Sequence, residues 1–396
     1  MKKFFCFFTI VLFCLNARQT QAQQYFQPTN LKIAVFAPLY IDSAFNGYAY
    51  KLGNNNLPKI MLPGLDFYNG VMLAIDSLQK EKINAQVLFY DTKNTSLSSI
   101  ILKPEMQDVS LIIASFNDSK EIKTLADFAL QKKALLVSAT FPNDDGVRNN
   151  PYFVILNSTL ATHCQNLYKY LQQYYSTSNI IYVRRKGYVG DYIKSLFLKE
   201  EQTTPAIPLK YKVIELDDVF SDKTLLQYLN NAKNNTVVCG SINEAFGLKL
   251  ARALSLAATT GYRSTLVGMP SWENVKDFDK SDCKGIDIIY STAYNFQQKD
   301  KLLKTFNAKY QNIYAARASD WALKGFETMY RFTKLVFMYG DLTLKFISNN
   351  QFELFNNFDI KPIITTDNFL PDTSYLENKK IYFVKKNSGI IVSQTK

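Results

Sequence analysis

Short apolar runs recur along the chain, separated by stretches in which polar residues interrupt the apolar ones. Ten of the runs are mostly rich in β-branched residues and apolar at consecutive positions. They cover Lys32–Leu39, Gln86–Tyr90, Ser110–Ser115, Ala134–Ser138, Tyr152–Leu156, Asn179–Val183, Tyr211–Leu216, Thr236–Cys239, Ser264–Gly268 and Ile286–Tyr290. Consecutive apolar positions are typical of strands that a parallel sheet buries on both faces. The pattern therefore predicts a fold built on parallel sheets.

The stretches between these runs predict amphipathic helices. Leu65, Tyr68, Met72, Ile75 and Leu78 recur at steps of three and four, which places them on one face of a helix. Strands that alternate with helices form βαβ units with right-handed crossovers, so the predicted fold class is α/β. The strands fall into two groups of about five. We therefore expect two doubly wound parallel-sheet lobes with a ligand cleft between them.

The lobes are expected to exchange segments rather than to follow one another along the chain. Lobe I is predicted to span residues 31–156, completed by about 296–345. Lobe II is predicted to span residues 157–295, completed by about 346–396. The chain would therefore cross between the lobes more than once.

Three crossings are expected, near Asn157, near Asn295 and within residues 341–350. The last 60 or so residues have a different pattern, and residues 381–384 and 390–392 are expected to form a β-hairpin across an Asn-Ser-Gly turn. Residues 41–63 form a long polar insertion, and loops of this length are more often functional or disordered than neutral.

The N-terminus has the order of features typical of a secretory signal peptide. Lys2 and Lys3 precede the apolar stretch Phe4–Leu15, and the small residues Thr20 and Ala22 predict cleavage before Gln23. The apolar run is shorter than the ~20 residues that a membrane span needs. A buried N-terminal helix is the alternative. We expect residues 1–22 to be removed and the protein to be periplasmic.

Composition narrows the possible functions. The chain has 396 residues, 47% of them apolar, and its single histidine is His163, so a histidine-rich metal site is excluded. Residues 23–396 carry a net charge of +9, but the lysines are scattered rather than aligned, so no nucleic-acid partner is expected. Three cysteines remain after cleavage, and their spacing requires no disulfide.

Several short motifs resemble one known family. Leu65–Gly70 opens a helix, Tyr90–Thr92 follows the second strand and Asn150–Phe153 precedes the first crossing, and Val267–Asn274 and Ala322–Glu327 come later. Their order resembles the type I periplasmic binding proteins, the branched-chain amino-acid binding family, in its divergent Bacteroidetes branch. The resemblance covers about residues 31–396. It implies a small-molecule ligand and a partner ABC permease in the inner membrane.

Ligands of open α/β sheets bind beyond the carboxyl ends of the strands, and in a two-lobed protein these ends face the cleft. The residues in these positions are Tyr40, Ser115, Asn117, Ser138 and Thr140 in lobe I, and Arg184, Arg185, Tyr188, Ser241, Asn243, Glu244, Trp272 and Tyr294 in lobe II. Asn243 is set aside as a helix cap. The other twelve are the candidate ligand-binding residues.

These candidates suggest distinct roles, each with a plain structural alternative. The hydroxyls of Ser138 and Thr140 could bind a carboxylate or cap a turn. Arg184 and Arg185 suit a carboxylate or phosphate, or form a solvated charge run. Tyr188 and Trp272 could stack on a ligand or pack in the core. Ser241 and Glu244 could begin a helix, and Glu244 could instead meet a ligand ammonium.

Members of the resembling family often carry Gly-Pro after the third strand, where this chain has Ser115-Phe116. In the amino-acid binders of that family, this loop and the serine-rich loop after the fourth strand, here Ser138–Phe141, bind the ligand's α-carboxylate and α-ammonium. This departure changes the first ligand loop.

No nucleophile, phosphate-loop or zinc-protease motif occurs, and His163 and Cys164 are adjacent, so they point about 100° apart on a helix. We expect no enzyme activity, no metal and no cofactor, and we expect His163 to be partly exposed. The predicted function is capture of a small anionic or zwitterionic, amino-acid-like ligand by lobe closure for an ABC transporter. The alternative is an envelope sensor or structural protein that retains the fold.

Overall fold

The computed structural model describes residues 31–53, 57–296, 301–365, 372–387 and 390–394. It contains two seven-stranded sheets and one two-stranded sheet, with helices between the strands. The α/β class and the two parallel-sheet lobes predicted from the sequence are therefore confirmed. The predicted signal peptide, residues 1–22, lies outside the described residues.

The first large sheet has the strand order β13-β14-β7-β6-β5-β1-β4, in which all neighbours except β13 and β14 are parallel. Its strands are β1 (Leu31–Ala37), β4 (Ala85–Asp91), β5 (Leu111–Ala114), β6 (Leu135–Ser138), β7 (Phe153–Ile155), β13 (Ile360–Thr365) and β14 (Asp372–Asn378). Strands β1, β5, β6 and β7 are buried along their whole length, as consecutive apolar positions predict.

The second large sheet has the order β16-β15-β12-β11-β10-β8-β9. The five strands from β12 to β9 pair in parallel, and β15 pairs antiparallel with both β12 and β16. Its strands are β8 (Asn179–Arg185), β9 (Tyr211–Leu216), β10 (Asn235–Gly240), β11 (Ser264–Gly268), β12 (Asp287–Thr292), β15 (Tyr382–Asn387) and β16 (Ile390–Gln394). All ten strands predicted from apolar runs are present, and the terminal hairpin, β15 with β16, is confirmed.

Eleven α-helices lie in the described residues. They are α1 (Ile41–Ala44), α2 (Leu62–Lys80), α3 (Leu97–Ile101), α4 (Lys120–Lys132), α5 (Leu160–Tyr174), α6 (Tyr188–Thr203), α7 (Asp222–Leu226), α8 (Glu244–Ala258), α9 (Lys301–Tyr314), α10 (Asp320–Tyr339) and α11 (Thr343–Phe346). Short 3₁₀ turns cover Pro104–Met106, Pro270–Asn274, Lys276–Asp279, Ser281–Cys283 and Gly340–Leu342. Three buried clusters of apolar side chains fill the space between helices and sheets.

The third crossing and the end of lobe I differ from the sequence prediction. Strands β13 and β14 pair in the first sheet, so residues 346–396 do not all join the second lobe. The chain crosses between β14 and β15, at residues 379–381, rather than within 341–350. The reason lies in α10, where the guanidinium of Arg331 donates to the carbonyls of Ile347 and Asn349 and holds that segment against lobe I.

The insertion after β1 is structured rather than simply polar. It contains α1 and a hairpin of β2 (Phe45–Asn46) and β3 (Ala49–Tyr50), whose aromatic rings pack edge to face with centroids 5.5 Å apart. Tyr48, between the two strands, is fully exposed. The start of the insertion is held by Asp91, whose carboxylate accepts hydrogen bonds from the backbone N–H groups of Leu39 and Ile41. The insertion therefore displays aromatic surface.

Cys164, Cys239 and Cys283 are free thiols, and all three are buried. None of the helices in the described part of the chain combines the length and apolarity that crossing a bilayer requires.

Candidate functional site

A cavity of about 560 Å³ lies where loops from both large sheets meet. It is lined by Pro142, Asn143, Asp144, Asn157, Ser158, Thr159, Leu160, Ala161, His163, Tyr192, Ile242, Pro270, Ser271, Glu273, Thr292, Ala293 and Tyr375. Most of these residues follow the carboxyl ends of β6, β7, β10, β11 and β12. The cavity, called the interlobe cleft below, therefore occupies the position in which open α/β sheets bind ligands.

A second cavity, of about 610 Å³, lies at the opposite edge of the first sheet. Its lining includes Leu31, Ser110 and Leu135, at or next to the amino ends of their strands, together with Gly340 and Thr343. Only lobe I contributes to it, so closure of the two lobes would not change it. The interlobe cleft is therefore the better candidate for a ligand site, although it is slightly smaller.

The charged side chains that line the interlobe cleft are both acidic. Glu273 follows β11, and its Oε1 accepts a hydrogen bond from the hydroxyl of Thr292 at 2.9 Å. Asp144 lies in the loop after β6, where it accepts from the backbone N–H of Gly146 at 3.0 Å, and Arg148 approaches it at 3.5 Å. No lysine or arginine belongs to the cleft lining in the described residues. The cleft is therefore acidic.

His163 lies on the first turn and a half of α5 and lines the cleft. Its Nδ1 is 2.9 Å from the hydroxyl of Ser291, which is fully buried. Burial lowers the pKa of the imidazole to about 3, so the ring is neutral at physiological pH. The prediction of a partly exposed histidine was wrong, because α5 turns this face toward β12.

Two tyrosines complete the cleft wall, one from each lobe. Tyr192 belongs to α6 and Tyr375 to β14. Burial raises the pKa of both hydroxyls, and the nearby carboxylate of Asp144 adds to the effect, so both stay protonated. Neither tyrosine was predicted from the sequence, since neither lies directly after a strand.

The five candidates of lobe I form two small groups outside the cleft lining. The hydroxyl of Ser115 lies 3.3 Å from that of Thr140, which donates to the carbonyl of Phe116 at 3.1 Å. Ser138 donates to the carbonyl of Phe141 at 3.4 Å. All three serine and threonine side chains are buried. The remaining two are paired with each other, because the amide of Asn117 donates to the hydroxyl of Tyr40 at 3.1 Å.

The arginine loop of lobe II lies at the outer edge of its sheet. Arg184 pairs with Asp191 and Glu215, and Arg185 makes a two-pronged contact with Asp218 at 2.6 and 2.7 Å. Lys186 pairs with Asp217 at 3.1 Å. The acidic partners come largely from β9 and the loop that follows it. This placement differs from the expected cleft position, and the arginines already have anionic partners.

The exposure of Tyr188 is 84%, so this ring lies on the open surface of lobe II rather than in the cleft wall.

The other lobe II candidates have structural contacts. The hydroxyl of Ser241 accepts from the backbone N–H of Asn243 at 3.0 Å, and Glu244 is the exposed first residue of α8. Trp272 is fully buried, where its ring covers Gly247 and Gly268. The hydroxyl of Tyr294 donates to the carbonyl of Ala139 at 2.5 Å and links the two lobes. None of the twelve candidates lines the interlobe cleft.

We expect Arg184→Ala and Arg185→Ala to leave ligand affinity within about two-fold of wild type. Their ion pairs lie at an exposed sheet edge, where such pairs contribute ~0–1 kcal/mol. Urea unfolding should therefore change by less than about 1 kcal/mol per variant, and the change should shrink in high salt. Calorimetric titration with a ligand recovered from the native protein measures the affinity. A ten-fold loss of ligand affinity in either variant would show that the arginine loop takes part in ligand binding.

Comparisons with known proteins support the architecture. Neither a scan against protein-family models nor a search of curated proteins gives a match. Solved structures do match. A protein assigned to branched-chain amino acid ABC transport from Rhodospirillum rubrum has a TM-score of 0.68 and 12% identity, over 92% of this chain and all of that one. A ligand-binding protein of such a transporter from Burkholderia xenovorans LB400 has a TM-score of 0.63 at 12% identity, over 92% and 95% of the chains.

A substrate-binding protein of an ABC transporter from Desulfitobacterium hafniense, in complex with leucine, matches with a TM-score of 0.57 and 10% identity, over 92% of this chain and all of that one. At these identities the likeness concerns the fold. The chain therefore has the type I periplasmic binding protein fold, which confirms the resemblance found in its sequence at the level of fold.

Proposed function

We propose that this protein is an exported solute-binding protein that captures a small polar molecule in the interlobe cleft by lobe closure. We further propose that it works in the periplasm and delivers the ligand to an ABC permease of the inner membrane. The observation that carries the proposal is the cleft itself, because loops of both lobes line it and the segments that join the lobes form its base. A ligand that contacts both lobes binds the closed state more tightly and shifts the population toward it.

The crossing segments support a hinge at this position. The hydroxyl of Ser158 donates to the carbonyl of Asn378 at 2.6 Å, so the first and third crossings are joined. Next to them, Glu377 accepts from the backbone N–H and the hydroxyl of Thr159 at 2.8 and 2.9 Å. A few residues at element ends are enough to absorb the rotation of two lobes. Ligands of this size class fit, since small-molecule pockets span about 300–1,000 Å³.

The site favours binding over chemistry. Burial raises the pKa of the Cys164 thiol and lowers that of the His163 imidazole, which is the reverse of an activated cysteine–histidine pair. In the described residues, no group of three histidine, cysteine or acidic side chains could hold a metal ion. These observations agree with a solute-binding role. The anionic ligand expected from the sequence loses its support, because Arg184 and Arg185 are paired elsewhere.

Lobe closure is testable with the mature chain. Ligand recovered by mass spectrometry from protein purified from its native host should reduce the radius of gyration measured by X-ray scattering. Ser271→Trp places a bulky ring in the cleft and should abolish both binding and compaction. Ala245→Trp, at an exposed position of α8, is the matched control and should change neither. Circular dichroism checks that both variants are folded. Binding that survives Ser271→Trp, or that causes no compaction, would contradict the proposal.

A second candidate function is a sensor or structural protein of the cell envelope that keeps the fold without transport. The aromatic hairpin of β2 and β3 favours it, since exposed Phe45, Tyr48 and Tyr50 offer a surface for another protein. Uptake of the radiolabelled ligand by the host separates the two. Deleting the gene should abolish uptake if the protein serves a permease, and should leave uptake unchanged if it is a sensor.

A further inference from the structure

The charges in the interlobe cleft bear on the class of ligand, provided that the cleft is the binding site proposed above. We infer that the cleft recognises a ligand through a cationic amine and does not require a carboxylate on that ligand. Three features carry this inference: the acidic lining, the lack of a free carboxylate receptor among the described residues, and a set of hydrogen-bond acceptors around Glu273.

Glu273 is the main anchor for an amine. In the described residues it has no ion-pair partner, and its one hydrogen bond comes from the hydroxyl of Thr292.

Asp144, on the opposite lobe, has one ion-pair partner in the described residues, the half-exposed Arg148 at 3.5 Å. It also accepts hydrogen bonds from the backbone N–H of Gly146 and from the hydroxyl of Tyr375, both of which are neutral donors. Because no lysine or arginine of the cleft lining neutralises the carboxylates of Glu273 and Asp144, a cationic group on the ligand would form their ion pair. Because these two carboxylates belong to opposite lobes, a ligand cation that contacts both would favour the closed state.

Groups that could bind a ligand carboxylate are already engaged. The hydroxyls of Ser138 and Thr140 donate to main-chain carbonyls, and both side chains are buried. The first turn of α5 borders the cleft, and a helix N-terminus attracts anions. The carboxylate of Glu377 already lies there, 2.8 Å from the backbone N–H of Thr159. Glu377 also forms an ion pair with Lys379 at 2.8 Å, so the start of this helix already holds a carboxylate together with its counter-ion. A ligand carboxylate would have to displace Glu377 to bind there.

The remaining polar groups suit an ammonium, which has three N–H donors. The hydroxyl oxygen of Ser271, two residues before Glu273, is buried in the cleft lining and has no hydrogen-bond partner in the described structure. His163 also lines the cleft, and as a neutral ring it adds no positive charge. Tyr192 and Tyr375 supply aromatic faces, which attract cations.

Matched compounds separate the amine from the carboxylate. The probes are three sets, each an amino acid, its decarboxylated amine and its deaminated acid: leucine with 3-methylbutylamine and 4-methylpentanoate, phenylalanine with 2-phenylethylamine and 3-phenylpropanoate, and arginine with agmatine and 5-guanidinopentanoate. Thermal shift of the mature chain finds binders, and calorimetry gives Kd. We expect at least one amine to bind as tightly as its amino acid or more tightly. Among the first two sets, the acids should not bind.

Two charge-removing variants locate the contact. Glu273→Gln should weaken the binding of that amine about ten- to a hundred-fold, as expected when a charge-assisted hydrogen bond is lost. Asp222→Asn removes a carboxylate from an exposed position of the same lobe and should leave Kd within about two-fold. Equal weakening in both variants would indicate a general charge effect and would overturn the assignment to Glu273.

The outcomes distinguish this inference from the proposed function. Binding of amino acids or acids, with their amines at least ten-fold weaker, would overturn the amine inference but would leave a solute-binding protein. If none of the three amines binds, the amine inference is overturned as well. The proposed function depends on the separate measurement of host-derived ligand and compaction. A protein that carries no ligand from its host and shows no compaction would contradict that function.

Discussion

Replacing Glu327 with leucine is expected to lower the free energy of unfolding by about 3–5 kcal/mol. This carboxylate is buried on α10, where Oε1 accepts the backbone N–H groups of Phe355 and Asn356, each at 2.8 Å. Its Oε2 accepts the side-chain amide of Asn356 at 2.6 Å. Asn356 in turn accepts the backbone N–H of Asn295 at 2.6 Å. Leucine would leave the three donors without partners at the point where α10 meets the second crossing.

The same side chain predicts a pH dependence. Burial raises the pKa of Glu327 from 4.5 to about 7, against the opposing effect of its hydrogen bonds. A carboxyl whose pKa is higher in the folded state binds more protons there, so its contribution is fully present below pH 4.5 and is lost as the pH rises through 7. The hydroxyls of Tyr294 and Tyr382 and the guanidinium of Arg331 are near enough to respond to its charge.

Urea unfolding at several pH values measures both effects. The wild type should lose up to about 3 kcal/mol between pH 4.5 and 7 relative to Glu327→Gln, which cannot ionise. Glu244→Leu, at an exposed helix start, is the control and should change stability by less than about 1 kcal/mol. If Glu327→Leu does not fold, the glutamine variant still reports the pH effect. A difference between wild type and Glu327→Gln that does not vary with pH would contradict the prediction.

The strands that are completely buried could be predicted from the sequence. β10 and β11 are buried at every position, so their apolar runs carry a clear signal. β13 and β14 lack such a run, because Lys361 and Pro362 interrupt the isoleucines of β13 and most residues of β14 are polar. Proline is tolerated there because β13 is an edge strand. Their place in the first sheet depends on contacts between distant segments, such as the bond from the Asn378 amide to the carbonyl of Leu156.

The rule for strand ends located the right loops but not the right side chains. Ser241 was predicted where Ile242 lines the cleft, and Trp272 where Ser271 and Glu273 do. In these loops, neighbouring residues point in different directions, one into the cleft and the next into the core. No local sequence pattern specifies which of two neighbouring side chains points into the cleft. The side chain of Arg185 is held by Asp218, and these two residues come together only because β9 pairs with β8.

Gly70→Ala is expected to destabilise the protein by about 3 kcal/mol, although alanine is the better helix former by about 1 kcal/mol. Helices α2 and α10 come into backbone contact at two glycines, Gly70 and Gly325. A Cβ at Gly70 would overlap the carbonyl oxygen of Ala322, and one at Gly325 would overlap that of Phe67. These obstacles are backbone atoms, which cannot rotate away as a side chain could. The helices would have to separate, and buried neighbours would lose contact along both.

The contact also has a functional consequence, since Glu327 lies two residues beyond Gly325 on α10 and positions the segment beside the second crossing. Gly70→Ala should therefore weaken ligand binding as well as stability, although Gly70 does not line the interlobe cleft. Gln79→Ala, exposed near the end of the same helix, should change neither by more than about 0.5 kcal/mol. Urea unfolding and calorimetric titration measure the two effects. A Gly70→Ala protein as stable as wild type would show that the two helices can separate without cost.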